Sequence, residues 1–162
     1  MPARRFIGID PGSKGCVACL YEDGVVTFYP LTGDVGTYQD CIDIMQQYSI
    51  STYVAVEDVH GLPGQSCTAN TTFMKLAGMA ELVGWYLSTA GYMKVSPVTW
   101  KKHFGLTSKG LSKTERKHLS IDLAKKLYPA VAEQLTASRD GWAEALLIAR
   151  YYQDVLHQQE LQ

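Results

Sequence analysis

The sequence predicts one α/β domain, and three features predict it. Two hairpins follow each other at the start, an apolar run without alternation lies further on, and helical periodicity separates and follows the strands. With 162 residues and 46% hydrophobic content, the chain can bury one substantial core. No repeat, low-complexity tract or linker divides it. We expect residues 1–162 to form a single domain, with about 1–5 and 156–162 as peripheral tails.

RRFIGID reads as a first strand ending at Asp10, CVACLY as a second from Cys16 to Tyr21, and VVTFY as a third from Val25 to Tyr29. The short connections PGSKG and EDG make these two consecutive hairpins. In YQDCIDIMQQYS, Cys41, Ile44, Met45 and Tyr48 recur at helical spacing. STYVAVEDV is apolar on both sides, as a central strand is. HGLPGQSCTAN reads as a loop by its Gly, Pro and Ser content. It leads to a helical stripe of Phe73, Leu76, Ala80, Val83 and Leu87, closed by Gly91. YMKVS gives a fifth strand. PVTWKKHFG reads as a turn of helix with Pro at its first position, SKTERKHLSIDLAKKLYP as a helix ended by Pro129, and GWAEALLIARYYQDVLH as the last helix.

No apolar run approaches the roughly 20 residues that span a membrane. MPARRFIGID passes straight into strand-like sequence without an apolar signal region. The expectation is a cytoplasmic protein with no membrane partner. Cys16 and Cys19 form a lone C-x-x-C in a strand, where residues three apart face opposite ways, so they are poorly placed to share a metal. Together with Cys41 and Cys67 they read as buried free thiols.

The net charge of −1 hides an asymmetry. Lys94 to Lys126 holds nine Lys or Arg against two acids, a local +7 that leaves −8 on the remainder. That block is a candidate face for a polyanion.

Acids stand where elements begin or end: Asp10 after the first strand, Glu57 and Asp58 after the fourth, and Asp140 with Glu144 opening the last helix. Asp10 could simply start the turn at Pro11–Gly12, and Asp140 could cap its helix. Ionised carboxylates are rarely buried without a partner or a cation. If the first and fourth strands are neighbours, Asp10 and Glu57 lie side by side, while Asp140 and Glu144, four apart, share a helix face. Converging carboxylates are the ligand set of Mg²⁺ or Mn²⁺. Two such ions, roughly 3.5 to 4 Å apart, activate water and stabilise the leaving oxygen in phosphodiester hydrolysis. Asp58, alternating with Glu57, leaves the opposite face and reads as structural.

GIDPGSKG after an opening strand, VAVEDV, a Gly- and Ala-containing helix, SPVTWKKHFG, a basic helix and RDGWAEALLIARYY together resemble the RuvC-type Holliday junction resolvases of the ribonuclease H-like superfamily. The resemblance runs from Phe6 to about Tyr152 and is nearest to phage or prophage members. It implies a five-stranded mixed sheet, three antiparallel N-terminal strands followed by parallel ones, flanked by helices on both faces. It also implies a homodimer that nicks four-way DNA junctions with two Mg²⁺ or Mn²⁺ ions per active site and no small-molecule cofactor, resolving recombination or replication intermediates. By position, Asp10, Glu57, Asp140 and Glu144 match the catalytic, metal-binding acids. The commoner pattern Asp-x-x-Asp-Ala-Leu is replaced here by a spacing of four and a final Glu.

Lys101, Lys102, Lys113 and Lys117 are candidates for DNA contact, with Trp100, His103 and Phe104 interleaved among the cations. Lys14 stands beside the first acid. His60 and the segment from Gln65 to Asn70 fall in the loop that, in the family, reaches into the junction. Ala77, Gly78 and Gly84 would let a second helix approach closely in a dimer. Alternatives are a broader nuclease debranching forks, flaps and three-way junctions, a ribonuclease H-like enzyme on RNA or hybrids, and a junction-binding protein without catalysis. An actin-like or sugar-kinase fold also opens on an acidic Gly-containing hairpin, but it needs a second domain to enclose nucleotide, for which this chain is too short.

Overall fold

The computed structural model describes residues 3–45, 50–61, 63–106 and 109–162. The first three strands are β1 (Arg4–Asp10), β2 (Cys16–Tyr21) and β3 (Val26–Pro30). They are followed by α1 (Val35–Met45), β4 (Ser51–Glu57), α2 (Cys67–Leu87) and β5 (Gly91–Val95). The chain finishes with α3 (Pro97–His103), α4 (Lys113–Leu127), two short 3₁₀ turns (Pro129–Gln134 and Ala137–Arg139) and α5 (Asp140–Glu160). The sheet order is β3-β2-β1-β4-β5. β1 pairs antiparallel with β2 and β2 with β3, whereas β1–β4 and β4–β5 are parallel.

Strand alternation assigns each residue to a face. Phe6, Cys16, Ala18, Leu20 and Ala55 look toward α3, α4 and α5, in a core with Trp100, Ile121 and Leu146. Ile7, Ile9, Val17, Cys19, Val54 and Val56 look toward α1 and α2, against Tyr38, Cys41, Ala80 and Val83. The two cysteines of the C-x-x-C therefore lie on opposite faces. Cys16, Cys19 and Cys41 are buried free thiols, but Cys67 is exposed at the start of α2.

Helix α5 lies directly on β1. A Cβ built on Gly8 would come within 1.9 Å of the Ala145 carbonyl oxygen, so only hydrogen fits between strand and helix.

Several expectations are corrected. Residues 4, 5 and 156–160 are not tails: Arg5 is 3% exposed and donates to Thr52 Oγ1 at 2.8 Å, and Arg4 pairs with Glu160 across the strand and helix ends. β3 begins one residue late, because the Val25 carbonyl accepts from the Tyr21 N–H and closes the turn. α2 begins inside the stretch expected to be loop. The Ser66 side chain accepts from the Ala69 N–H and caps it there, a cap without the following Glu that advertises one. Tyr48 lies outside the described residues, as do the side chains of Ile44 and Met45. Among the described residues, no helix is long and apolar enough to cross a membrane.

Candidate metal centre

The parallel pairing of β1 and β4, in register through Ile9↔Val56, brings the two strand ends together. Asp10 and Glu57 then project on the face covered by α5, because each falls in alternation with core residues of that face, Gly8 and Ala55. Glu144, one turn inside α5, completes a cluster. One carboxylate oxygen from each of Asp10, Glu57 and Glu144 lies within 4.8 Å of the others, and the three could hold a metal ion. Gly141 lets the helix start come this close. A Cβ there would lie 2.8 Å from Asp10 Oδ2 and 2.6 Å from the Lys14 carbonyl oxygen.

Glu57 is 7% exposed, and the buried Trp100 indole donates to its Oε1 from Nε1 at 3.0 Å. Lys101 Nζ sits 3.0 Å from Glu144 Oε1 and 4.9 Å from the centre of the Trp100 ring. Ser120 Oγ lies 3.5 Å from the same Glu144 oxygen. Burial and then the charges of Glu57, Glu144 and Asp140 hold the Asp10 carboxyl well above the usual carboxylate range, against a lowering pull from Lys101. Burial, followed by Glu144, pushes Glu57 up to about 6, opposed by the Trp100 hydrogen bond and Lys101. Carboxylates from three different elements, forced together with Asp10 and Glu57 resisting ionisation, are a donor set that a hard divalent cation satisfies.

Asp140 stands apart from the three. It is the first residue of α5 with helical φ and ψ of −57° and −36°, and no side-chain cap bond is made at that helix start, so it does not act as the N-cap. Its Oδ2 pairs with Lys117 Nζ at 2.6 Å. Asp58 leaves the other face, as alternation requires. Lys94 reaches both its Oδ1 at 3.0 Å and Glu81 Oε1 of α2 at 2.7 Å.

The basic block is therefore not one free cationic face. Three of its nine cations, Lys94, Lys101 and Lys117, are engaged by acids elsewhere in the chain. Lys102 is exposed on α3, and Lys14 is exposed in the β1–β2 turn beside the cluster. The side chain of Lys113 lies outside those described. Trp100, interleaved among those cations, is 0% exposed. His103 is taken up by Asp154 at 3.0 Å and by the rings of Phe104 and Tyr151. His60 is 80% exposed, 3.8 Å from Asp58. Asn70 lies in the first turn of α2, its carboxamide beside Gly61.

Sequence reasoning did not find the support roles of Trp100, Ser120 and Gly141. Trp100 did carry a signal, being the large apolar residue in a run of cations four places after a capping Ser96.

A five-stranded mixed sheet of this order flanked by helices is a ribonuclease H-like α/β fold, and two solved structures share it. The chain is similar to T. thermophilus RuvC, solved in complex with a Holliday junction substrate, with 17% identity, 96% of each chain covered and a TM-score of 0.55. It is also similar to the yeast mitochondrial Holliday junction resolvase Ydc2, with 15% identity, 99% of this chain and 83% of that one covered, and a TM-score of 0.53. At these identities the likeness is one of fold. No family model and no curated protein matches the chain.

Proposed function

We propose that this protein is a metal-dependent, structure-selective DNA endonuclease that nicks four-way junctions and so resolves recombination or replication intermediates. The observation that carries the reading is the cluster of Asp10, Glu57 and Glu144 at the sheet end of a RuvC-type fold. Mg²⁺ or Mn²⁺ held by these three acids and Asp140, two ions per site, would activate a water and stabilise the leaving oxygen. The chain's own part is to hold the ligands. Trp100 fixes the Glu57 carboxylate by its indole N–H, Lys101 offsets the charge of Glu144, and Gly141 admits the helix start to within reach of Asp10. Lys14 and Lys102, exposed cations near and beyond the cluster, are the candidates for backbone phosphates, and His60 and Asn70 for the junction centre.

A homodimer suits a substrate with two-fold symmetry, since an isologous pair presents two active sites for paired cuts. The face that supports it is on α2, where Leu82, Trp85 and Tyr86 are 67%, 65% and 52% exposed, and where a Cβ on Gly78 would meet nothing within 4 Å. Ala77 and Gly84, expected to share this role, belong to the protein's own core. Gly84 packs on β4 and β5, with a built Cβ 2.6 Å from Val56 Cγ2.

The test is cleavage of a synthetic four-way junction in Mg²⁺ and in Mn²⁺. Asp10→Asn is expected to abolish nicking while junction binding survives, and unchanged cleavage by that variant would overturn the assignment. Forks, flaps and three-way junctions in the same panel separate a resolvase from a broader debranching nuclease.

A further inference from the structure

The two acids supplied by α5 are each paired with a lysine from a different helix, and the two pairs differ. Lys101 of α3 meets Glu144 inside the cluster, and its charge also acts on Asp10 and Glu57. Lys117 of α4 meets Asp140 at 2.6 Å, and Asp140 is not one of the three acids whose carboxylate oxygens lie within 4.8 Å of one another. Asp140 is nonetheless near enough that its own charge raises Asp10. The carboxylate therefore stands at the rim of the cluster, held from outside.

Resting on the metal-dependent reading above, we propose that Lys117 is a positioning residue that holds the Asp140 carboxylate at the rim and competes with a divalent cation for it. The Lys117 and Asp140 side chains are 40% and 23% exposed, so the pair is partly in water and opens at little cost. One cation can be held by Asp10, Glu57 and Glu144 without Asp140. A second, needing Asp140 as well, must displace the ammonium of Lys117. The weaker of two cation affinities is then set by this ion pair, whereas a purely structural bridge between α4 and α5 would leave both affinities alone.

The experiment is Mn²⁺ titration of the metal-free full chain, with free Mn²⁺ followed by electron paramagnetic resonance. It compares wild type, Lys117→Gln, Asp140→Asn and the double variant, each first shown by circular dichroism to be folded. Lys117→Gln is expected to tighten the weaker Mn²⁺ affinity about threefold, the scale of a half-exposed ion pair, and the gain is expected to disappear in the Asp140→Asn background. Lys117→Arg, which keeps charge and pair, stays near wild type. An equal gain in both backgrounds means that Lys117 acts through the general field, and no gain means that the pair does not compete. Either result overturns this inference and leaves the metal site standing. A wild-type chain that binds no Mn²⁺ overturns the metal-dependent reading, and this inference with it.

Discussion

The indole Nε1 of Trp100 donates to Glu57 Oε1 at 3.0 Å, joining the first turn of α3 to the end of β4 across 43 positions of sequence. The ring is 0% exposed, so it is at once part of the core and the hydrogen-bond partner of a buried carboxylate. A buried acid with a neutral donor keeps its orientation without losing its charge to a salt bridge. Trp100→Phe keeps most of the volume and deletes the donor. Junction cleavage and Mn²⁺ affinity are each expected to fall about ten- to a hundredfold, the usual cost of removing a partner of a metal ligand. Cleavage at the wild-type rate in this variant would show that the bond does not orient the ligand.

Glu57 also predicts how stability depends on pH. Its carboxyl is pushed up to about 6 from an ordinary 4.5, so the folded protein holds this proton more tightly than the unfolded chain does. Below the lower value both states are protonated and the group contributes nothing. As pH rises through that window the folded state loses stability, and above about 6 the whole loss, about 2 kcal/mol, is present. In EDTA at pH 7.5, Glu57→Gln is expected to be more stable than wild type by about that amount in urea denaturation, with the difference vanishing at pH 4. A variant less stable than wild type at pH 7.5 would contradict the raised pKa.

Two glycines admit a close approach, one between strand and helix and one at the acidic cluster. At Gly8 a methyl group would meet the Ala145 backbone oxygen at 1.9 Å, and backbone cannot move aside as a side-chain tip can. Gly8→Ala is expected to destabilise the fold by about 3 kcal/mol or more, measured by urea denaturation. At Gly141 the methyl group would press on Asp10 Oδ2 and on the Lys14 carbonyl oxygen, at the margin of the sheet. Gly141→Ala is expected to lower stability and cleavage together, and a variant that cleaves normally would remove Gly141 from the site.

The exposed face of α2 predicts an oligomeric state. Leu82 and Trp85 lie three apart on that helix, both about two-thirds exposed. Leu82→Glu and Trp85→Glu place a charge where two copies would meet, and each is expected to convert a dimer to a monomer in sedimentation without altering the melting of the isolated fold. A wild-type chain that sediments as a monomer at micromolar concentration would overturn the dimer.

The sheet was legible because alternation and turn chemistry are local. RRFIGID, CVACLY and STYVAVE carry their own faces and ends, so Asp10 and Glu57 could be placed at strand ends before any contact was known. Their meeting followed from parallel pairing of the first and fourth strands, which the family resemblance implied. The basic block is legible as composition but not as a set of pairings. Lys94, Lys101 and Lys117 appear in sequence as neighbours of one another, but each folds against an acid distant in the chain. The charge asymmetry of the segment says nothing about those pairings. Trp100, interleaved with lysines in the sequence, is turned inward by its helix, a placement that composition does not reveal.

The sequence by itself determined the element order, the face of each strand residue, and the acids at element ends. Those follow from periods of two and 3.6 and from the conformations that Pro, Gly and Asp favour over a few residues. Only the tertiary structure decided that Asp10, Glu57 and Glu144 meet while Asp140 is held aside by Lys117, and that Trp100 serves Glu57. Such pairings depend on how helices seat on a sheet, where a single missing methyl group at Gly8 or Gly141 sets how near a carboxylate may come.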